Sequence, residues 1–286
     1  MPSIVIEPEL RIAAHRDNTP RNGLRLYFRL VGISIKSQLQ YRASFVMMAF
    51  GQFMVTIVEF IAIWALFDRF GSVQGWELAE IALFYGIINC AFAISEAFAR
   101  GFDNFPGMVK SGAFDILLIR PRSTVLQMLG AEVQLMRVGR FAQAILVLIW
   151  GVANLKIIWT AAKIALLIAA IGGGACLFSG LFVLFATAAF WTTESLEIFN
   201  TLTYGGVETA QFPVTIYRPT FRWFFTLVVP LATINYFPCH AILERADPMQ
   251  TSYVFQCLSP LTGVVFLLVS LRIWNIGVRH YCSTGS

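Results

Sequence analysis

The chain has 286 residues, 57% of them hydrophobic and 13% charged, with a mean hydropathy of +0.70. Soluble domains carry about 25% charged residues, so half that share excludes an ordinary soluble enzyme or binding domain and places the sequence in the membrane class. The formal charge of +5 does not point to nucleic acid, because the basic residues flank apolar runs instead of forming a stripe on a soluble fold.

Residues 1–20 read as a polar arm. They are polar and charged and hold no cleavable signal peptide, so insertion is expected to start from an internal span. From Arg21 to Arg42, Leu24, Tyr27, Phe28, Val31 and Ile35 recur at three- and four-residue steps, with Arg25, Arg29, Lys36 and Arg42 off that face. This is the pattern of an interfacial amphipathic helix, apolar side in the lipid boundary and basic side toward anionic headgroups. Residues 43–286 form the transmembrane domain. Its first span, Ala43 to Phe67, has 25 residues and one charge, Glu59, and at about 1.5 Å per residue it exceeds the roughly 30 Å hydrocarbon core.

Leu78 to Ala99 is the second span, with Glu80 near its start and Glu96 near its end. Arg100 to Gln127 is a basic loop. The third span begins near Leu129, with its densest apolar part at Phe141 to Leu155, and Ala161 to Trp191 contains the fourth. Two readings stay open for the next segment. In one, Thr192–Phe212 crosses and Phe221–Leu243, broken by Pro230 and Pro238, re-enters from the far side. In the other, Phe221–Leu243 crosses. Re-entrant backbone is tolerated only where protein or a wet cavity covers it. Tyr253 to Trp274 is the final span. The expected fold is an all-α polytopic membrane protein of six transmembrane helices, preceded by the interfacial helix.

With the N-terminus inside, 15 Lys and Arg residues fall on the inner side and four on the outer side, which puts both termini in the cytoplasm. The tryptophans at 64, 76, 150, 159, 191 and 274 fall near span ends, where an aromatic belt belongs.

The loop from Arg100 to Gln127 is the strongest candidate for function. Pro106 and Gly107 break a helix begun near Phe102, Gly112 allows a turn, and Asp115 is placed to cap a short helix. Phe114, Leu117 and Leu118 then form an apolar knob facing the cytosol, with Arg120 and Arg122 beside it, as a docking surface requires. A loop helix lying flat on the membrane is the alternative.

At these residues the sequence resembles a known family. Gly112-x-Phe114-Asp115-x-Leu117-Leu118-x-Arg120-Pro121 is similar to the G-x-[aromatic/aliphatic]-D-x-L-L-x-[R/K]-P signature of a branch of type 2 ABC exporter permeases, some members of which are drug or viologen exporter permeases. Trp274-x-x-Gly277-x-x-x-Tyr281-x-Ser283-x-x-Ser286 resembles that branch's closing motif. Phe212-Pro213, Ile216-Tyr217, Pro230 and Tyr236-Phe237-Pro238 resemble its proline-punctuated region, and this favours the reading with Thr192–Phe212 as the fifth span. Cys282 departs from tails that are usually basic or small there.

The resemblance covers roughly Arg21 to Ser286. It implies a bacterial inner-membrane permease subunit that pairs with a second permease, identical or homologous, and with two copies of an ABC ATPase subunit that binds ATP and Mg. Gly112, Phe114, Asp115, Leu117, Leu118, Arg120 and Pro121 would couple to that ATPase. The sequence agrees independently on one point: it has no G-x-x-x-x-G-K-[S/T] phosphate cradle, so ATP hydrolysis has to come from another chain, and no cofactor is expected in this one.

Charges inside spans usually face a cavity or a partner. Glu59 and Glu208 are candidates to line a transport path. Glu96 and Glu132, near span ends, are candidates either for that lining or for pairing with Arg100, Arg137 or Arg140. Gly172, Cys176 and Gly180, at four-residue spacing, suit close helix packing, at a subunit interface or within the chain. The five cysteines are scattered, which argues for core-filling thiols rather than a disulfide framework or zinc site. His15, His240 and His280 form no ligand set, so no metal is expected. The rival function is a proton-coupled secondary transporter using Glu59 and Glu208.

Overall fold

The computed structural model describes residues 20–120, 122–192 and 196–281. The polar arm before Pro20, the candidate Pro121, and the tail residues Cys282, Ser283 and Ser286 lie outside the described residues. Every regular element among the described residues is helical, apart from one isolated bridge between Val73 and Trp76.

Helix α1 spans Pro20–Leu39. The first crossing is α2, Arg42–Phe70, and the second is α3, Leu78–Ala99, opened by a capping box between Glu77 and Glu80. A 3-10 turn (Arg100–Asn104) carries α3 into α4, Phe105–Lys110. Then come α5, Ala113–Leu118, and α6, Thr124–Ala131. A 3-10 turn at Leu135–Arg137 opens the third crossing, α7, Val138–Asn154. The fourth crossing is α8, Ala161–Ala188. After α9 (Leu196–Ala210), α10 (Pro219–Trp223) and a π turn at Phe224–Val228 lead into α11 (Leu231–Ile234) and α12 (Tyr236–Leu243). Short α13, Tyr253–Leu258, precedes the last crossing, α14, Leu261–His280.

Five of these segments are long and apolar enough to cross a membrane, and a bent pair raises the number to six if it is one span. The expected all-α polytopic membrane fold is therefore the observed one.

The core is built around α3, whose residues from Ile81 to Ala93 are buried almost without interruption. By contrast α2 leaves Val46, Met47, Phe50, Val55, Val58, Ile61 and Trp64 exposed. Such a face costs nothing against lipid tails, which are as apolar as the side chains themselves.

The third crossing starts six residues later than its composition predicts. Residues 132–134 are non-helical, and Glu132 is extended at φ −143° and ψ 118°. The cause is α1, nearly a hundred residues upstream. Ser34 Oγ accepts from the Val133 N–H at 3.3 Å, and Gln38 Oε1 accepts from the Leu135 N–H at 3.0 Å. Gln38 Nε2 donates to the Val133 carbonyl, and the Gln134 N–H donates to the Ala97 carbonyl at 3.1 Å. These bonds replace the helical ladder, so the break leaves few backbone groups unsatisfied.

Between α9 and α13 the chain bends by 73°. Pro230 supplies no N–H and disfavours helix at the residue before it, and Val229 is extended. Tyr204 on α9 lies against Phe92 and Arg100, toward the end of α3. Six residues on, the Ala210 carbonyl shares the Asn235 amide with the Phe84 carbonyl, near the start of α3. So α9 runs antiparallel to α3, and the bent pair occupies the half of the bundle where α3 begins. Helix α9, at 15 residues, is not among the five long apolar crossings, and the bent pair becomes the sixth if it is one span.

The far-end turns are tied to that pair. Lys163 bonds Glu244 at 2.7 Å. Arg245 donates to both Glu80 oxygens at 2.8 Å and to the Gly75 carbonyl at 2.6 Å, and lies over the Trp76 ring at 4.1 Å. In the same loop, partial burial tends to raise the Asp247 carboxyl, but donors from Thr251, Met249 and Tyr236 outweigh it and hold the carboxyl below the ordinary carboxylate range. A depressed folded-state pKa stabilises above the unfolded value and loses that stabilisation as pH falls through the folded one. The melting temperature of Asp247→Asn should therefore sit below wild type by a constant margin above pH ~4, and the gap should close in more acidic buffer. A gap independent of pH down to pH 3 would contradict this role.

Close packing within the chain is set by glycine. Gly173 on α8 and Gly263 on α14 meet backbone to backbone: a Cβ on Gly263 would overlap the Gly173 carbonyl. Gly180 meets Phe266 and Leu267 of α14. Of the predicted ladder, Gly180 packs helix on helix within the chain, Cys176 is half-buried, and a Cβ on Gly172 would meet nothing in the chain within 4 Å. The belt expectation also needs correcting at two positions, because Trp274 and Trp76 are buried.

Candidate functional site

The loop predicted to dock a partner is two short helices joined by Gly112, which sits in the left-handed region at φ +69°. Side chains with a Cβ enter that region at a cost of about 1 kcal/mol or more. Gly112, not Asp115, holds the position before α5, and Asp115 lies in its first turn. Gln127 closes the loop by donating to the carbonyls of Leu117 and Arg122, both at 3.2 Å.

The expectation that Phe114 faces the cytosol is overturned. Phe114 is 0% exposed. Its ring meets Phe105 at 4.9 Å, Tyr281 at 5.1 Å, Phe190 at 5.8 Å and Trp274 at 6.3 Å, mostly edge to face. That is the favoured geometry for rings with negative faces and positive edges. Phe102 joins through Trp274 at 5.1 Å, and Trp274 Nε1 donates to Thr124 Oγ at 3.1 Å.

The two sequence motifs, some 160 positions apart, are therefore halves of one cluster. Phe114 and Asp115 come from the loop, and Trp274 and Tyr281 from the end of α14. The Tyr281 hydroxyl is raised above its ordinary value by burial and then by the facing Asp115 carboxylate. The sequence reading missed Phe102, Phe105 and Phe190. Their only signal was aromatic density just after α3 and α8.

The apolar surface lies one turn on. Ile119 is 81% exposed, with Ile116 and Leu118 also exposed, Leu117 half-buried, and Lys110 and Arg120 exposed nearby. The outward face is thus Ile116, Leu118 and Ile119, and Phe114 is the anchor that holds it.

Behind the cluster sits a buried ionic hub. The Glu96 carboxylate, fully buried, meets Arg100 at 3.2 Å, Arg137 at 3.1 Å and Arg140 at 3.3 Å. The Tyr204 hydroxyl donates to it at 3.1 Å. Arg100 also bonds Asp103 at 2.7 Å, Arg137 donates to Gln52 at 3.0 Å, and Arg140 lies over the Phe92 ring at 5.0 Å. One carboxylate thereby joins α2, α3, α7, α9 and the turn leading to the loop. The predicted pairing of Glu96 with these arginines is the observed one.

The arginine pairing offered for Glu132 is not seen among the described residues. Glu132 instead accepts from Asn104 and from Gln134. Glu59 is half-buried with one oxygen unpartnered, and Glu208 is exposed. The two lie within electrostatic range of each other and of Arg140.

The described residues thus form a bundle of apolar crossings with a moored loop at one end and an ionic hub behind it. The family model described as ABC-2 family transporter protein matches residues 53–285, and the chain belongs to that family. The family is a membrane-transport component that generally works with an ATPase subunit. The chain is thus a multi-pass ABC transporter permease subunit. No curated protein and no solved structure matches it.

Proposed function

We propose that this permease subunit is the membrane half of an exporter in a bacterial inner membrane, with both termini in the cytoplasm. Two copies of a separate ABC ATPase, which bind ATP and Mg, drive it, and it pairs with a second permease, identical or homologous. The loop of Gly112, Phe114, Asp115, Leu117, Leu118, Arg120 and Pro121 takes the force. Phe114 anchors the loop, and Ile116, Leu118 and Ile119 enter the ATPase. Glu59 and Glu208 line the path.

The observation that carries this reading is the pairing of an exposed apolar tip at Ile119 with a buried aromatic mooring at Phe114. A loop helix that merely lay on the membrane would have no need of so rigid a base. Co-purification with the cognate ATPase tests it. Ile119→Asp should weaken association by about tenfold or more while leaving insertion and melting unchanged. Phe114→Asp should instead lower the melting temperature. Undiminished association of Ile119→Asp would remove the docking role.

A further inference from the structure

We infer that the groove between α1 and the cytoplasmic ends of α3 and α7 is a binding site for one acyl chain of an anionic phospholipid, whose headgroup lies against Lys36. The inference rests on the proposed cytoplasmic placement of this end, but not on the ATPase reading.

The groove has a volume of about 260 Å³. Ala93 and Ala97 of α3 are its small floor, and Ile35, Val133, Leu135 and Phe141 are among its walls. It exists because α1 does not pack directly on α3. Ser34 and Gln38 pin α1 to the broken segment 133–135 instead, and Ile35 is held across a gap.

Its two polar liners are already committed. Gln134 donates to Glu132 at 2.9 Å and accepts from Arg137 at 3.2 Å, and Arg137 is otherwise spent on Gln52 and Glu96. A polar small molecule would find no free partner inside, so the groove selects hydrocarbon. At its rim Phe98 and Val138 are exposed, which opens it toward lipid tails at the level where the spans end.

Lys36, the residue after the groove-lining Ile35, is exposed, as are Arg25 and Arg29 farther up α1, and α1 contains no acidic residue. Lys36, beside Ile35, makes no ion pair among the described residues. Basic pockets between helices at the cytoplasmic surface take anionic headgroups, and each added cation near that surface strengthens attraction to them. Apolar groove and unpaired cation together fit a phospholipid better than a free anion or a neutral apolar molecule. An occupant would touch Ala97 and Arg137, one residue from the Glu96 hub on α3 and directly at it on the turn before α7, so lipid occupancy would brace the hub.

The test uses the full chain in phosphatidylcholine vesicles containing a trace of phosphatidylglycerol with a photoreactive acyl chain, and the same label on phosphatidylcholine. After irradiation, cross-linked peptides are mapped and quantified. The expected result is labelling concentrated in peptides covering 93–98 and 133–141, roughly tenfold stronger for phosphatidylglycerol. Ala97→Phe, which fills the groove, should abolish it. Lys36→Glu, a change at an exposed position that leaves the core intact, should make the two lipids equivalent. Ile119→Asp should leave labelling unchanged, so a failure of ATPase docking reads separately. Label spread evenly along the exposed face of α2, or equal labelling by both lipids in the wild type, would overturn the inference. So would stronger labelling by a photoreactive apolar cation than by phosphatidylglycerol, which would give the groove to cargo.

Discussion

Glu96→Leu is expected to be the most damaging single substitution in the chain. It removes the one carboxylate that faces Arg100, Arg137 and Arg140 together, and leaves Arg137 and Arg140 buried with their charges uncompensated. Breaking a buried ion pair from one side costs about 3–5 kcal/mol, and Arg137 and Arg140 are both buried. The purified chain should lose its monodisperse elution or melt well below wild type.

Glu96→Gln keeps an acceptor oxygen for Tyr204 and one arginine, and should fall between the two. Glu96→Leu combined with Arg140→Met should recover part of the loss, because neighbours in one network do not add. Melting of Glu96→Leu within a degree or two of wild type would mean that the hub is not a keystone of the fold.

The second large effect is at the crossing of α8 and α14. Gly263→Leu forces a side chain into the Gly173 backbone, where no flexible group can yield. Overpacking of this kind costs about 1–3 kcal/mol, occasionally more. Here the helices would have to separate along their whole contact, so the upper end is expected. Gly172→Ala is the matched control. Nothing lies within 4 Å of its position, and the gain in helix propensity is up to about 1 kcal/mol. A thermal-shift comparison of Gly263→Leu with Gly172→Ala decides whether the Gly173–Gly263 contact sets the crossing. Equal losses at both would contradict the packing described.

The crossings were legible because apolar length along the chain is a one-dimensional property, and a bilayer imposes a minimum on it. Glu96 was legible for a related reason: a carboxylate near a span end needs a cation, and only a few were in range. What escaped was everything that depends on which way a side chain turns. The pattern around Phe114 is the same whether its ring points to solvent or to Trp274, and the partners that decide it come from residues 105, 190, 274 and 281. The glycine that joins Gly180 against α14 is Gly173, next to Gly172, and three neighbouring glycines give periodicity no means of choosing between them. The break at 132–134 was hidden as well, since the groups that satisfy its backbone sit on α1.

The aromatic mooring also fixes how a push would spread. Its rings come from the chain just past the end of α3, just past the end of α8, and from the last turns of α14 together with Tyr281. A load on Ile119 therefore reaches three membrane-crossing rods in parallel rather than in sequence. The three would take the push together, while the chain's sharpest bend lies elsewhere, in the segment around Pro230.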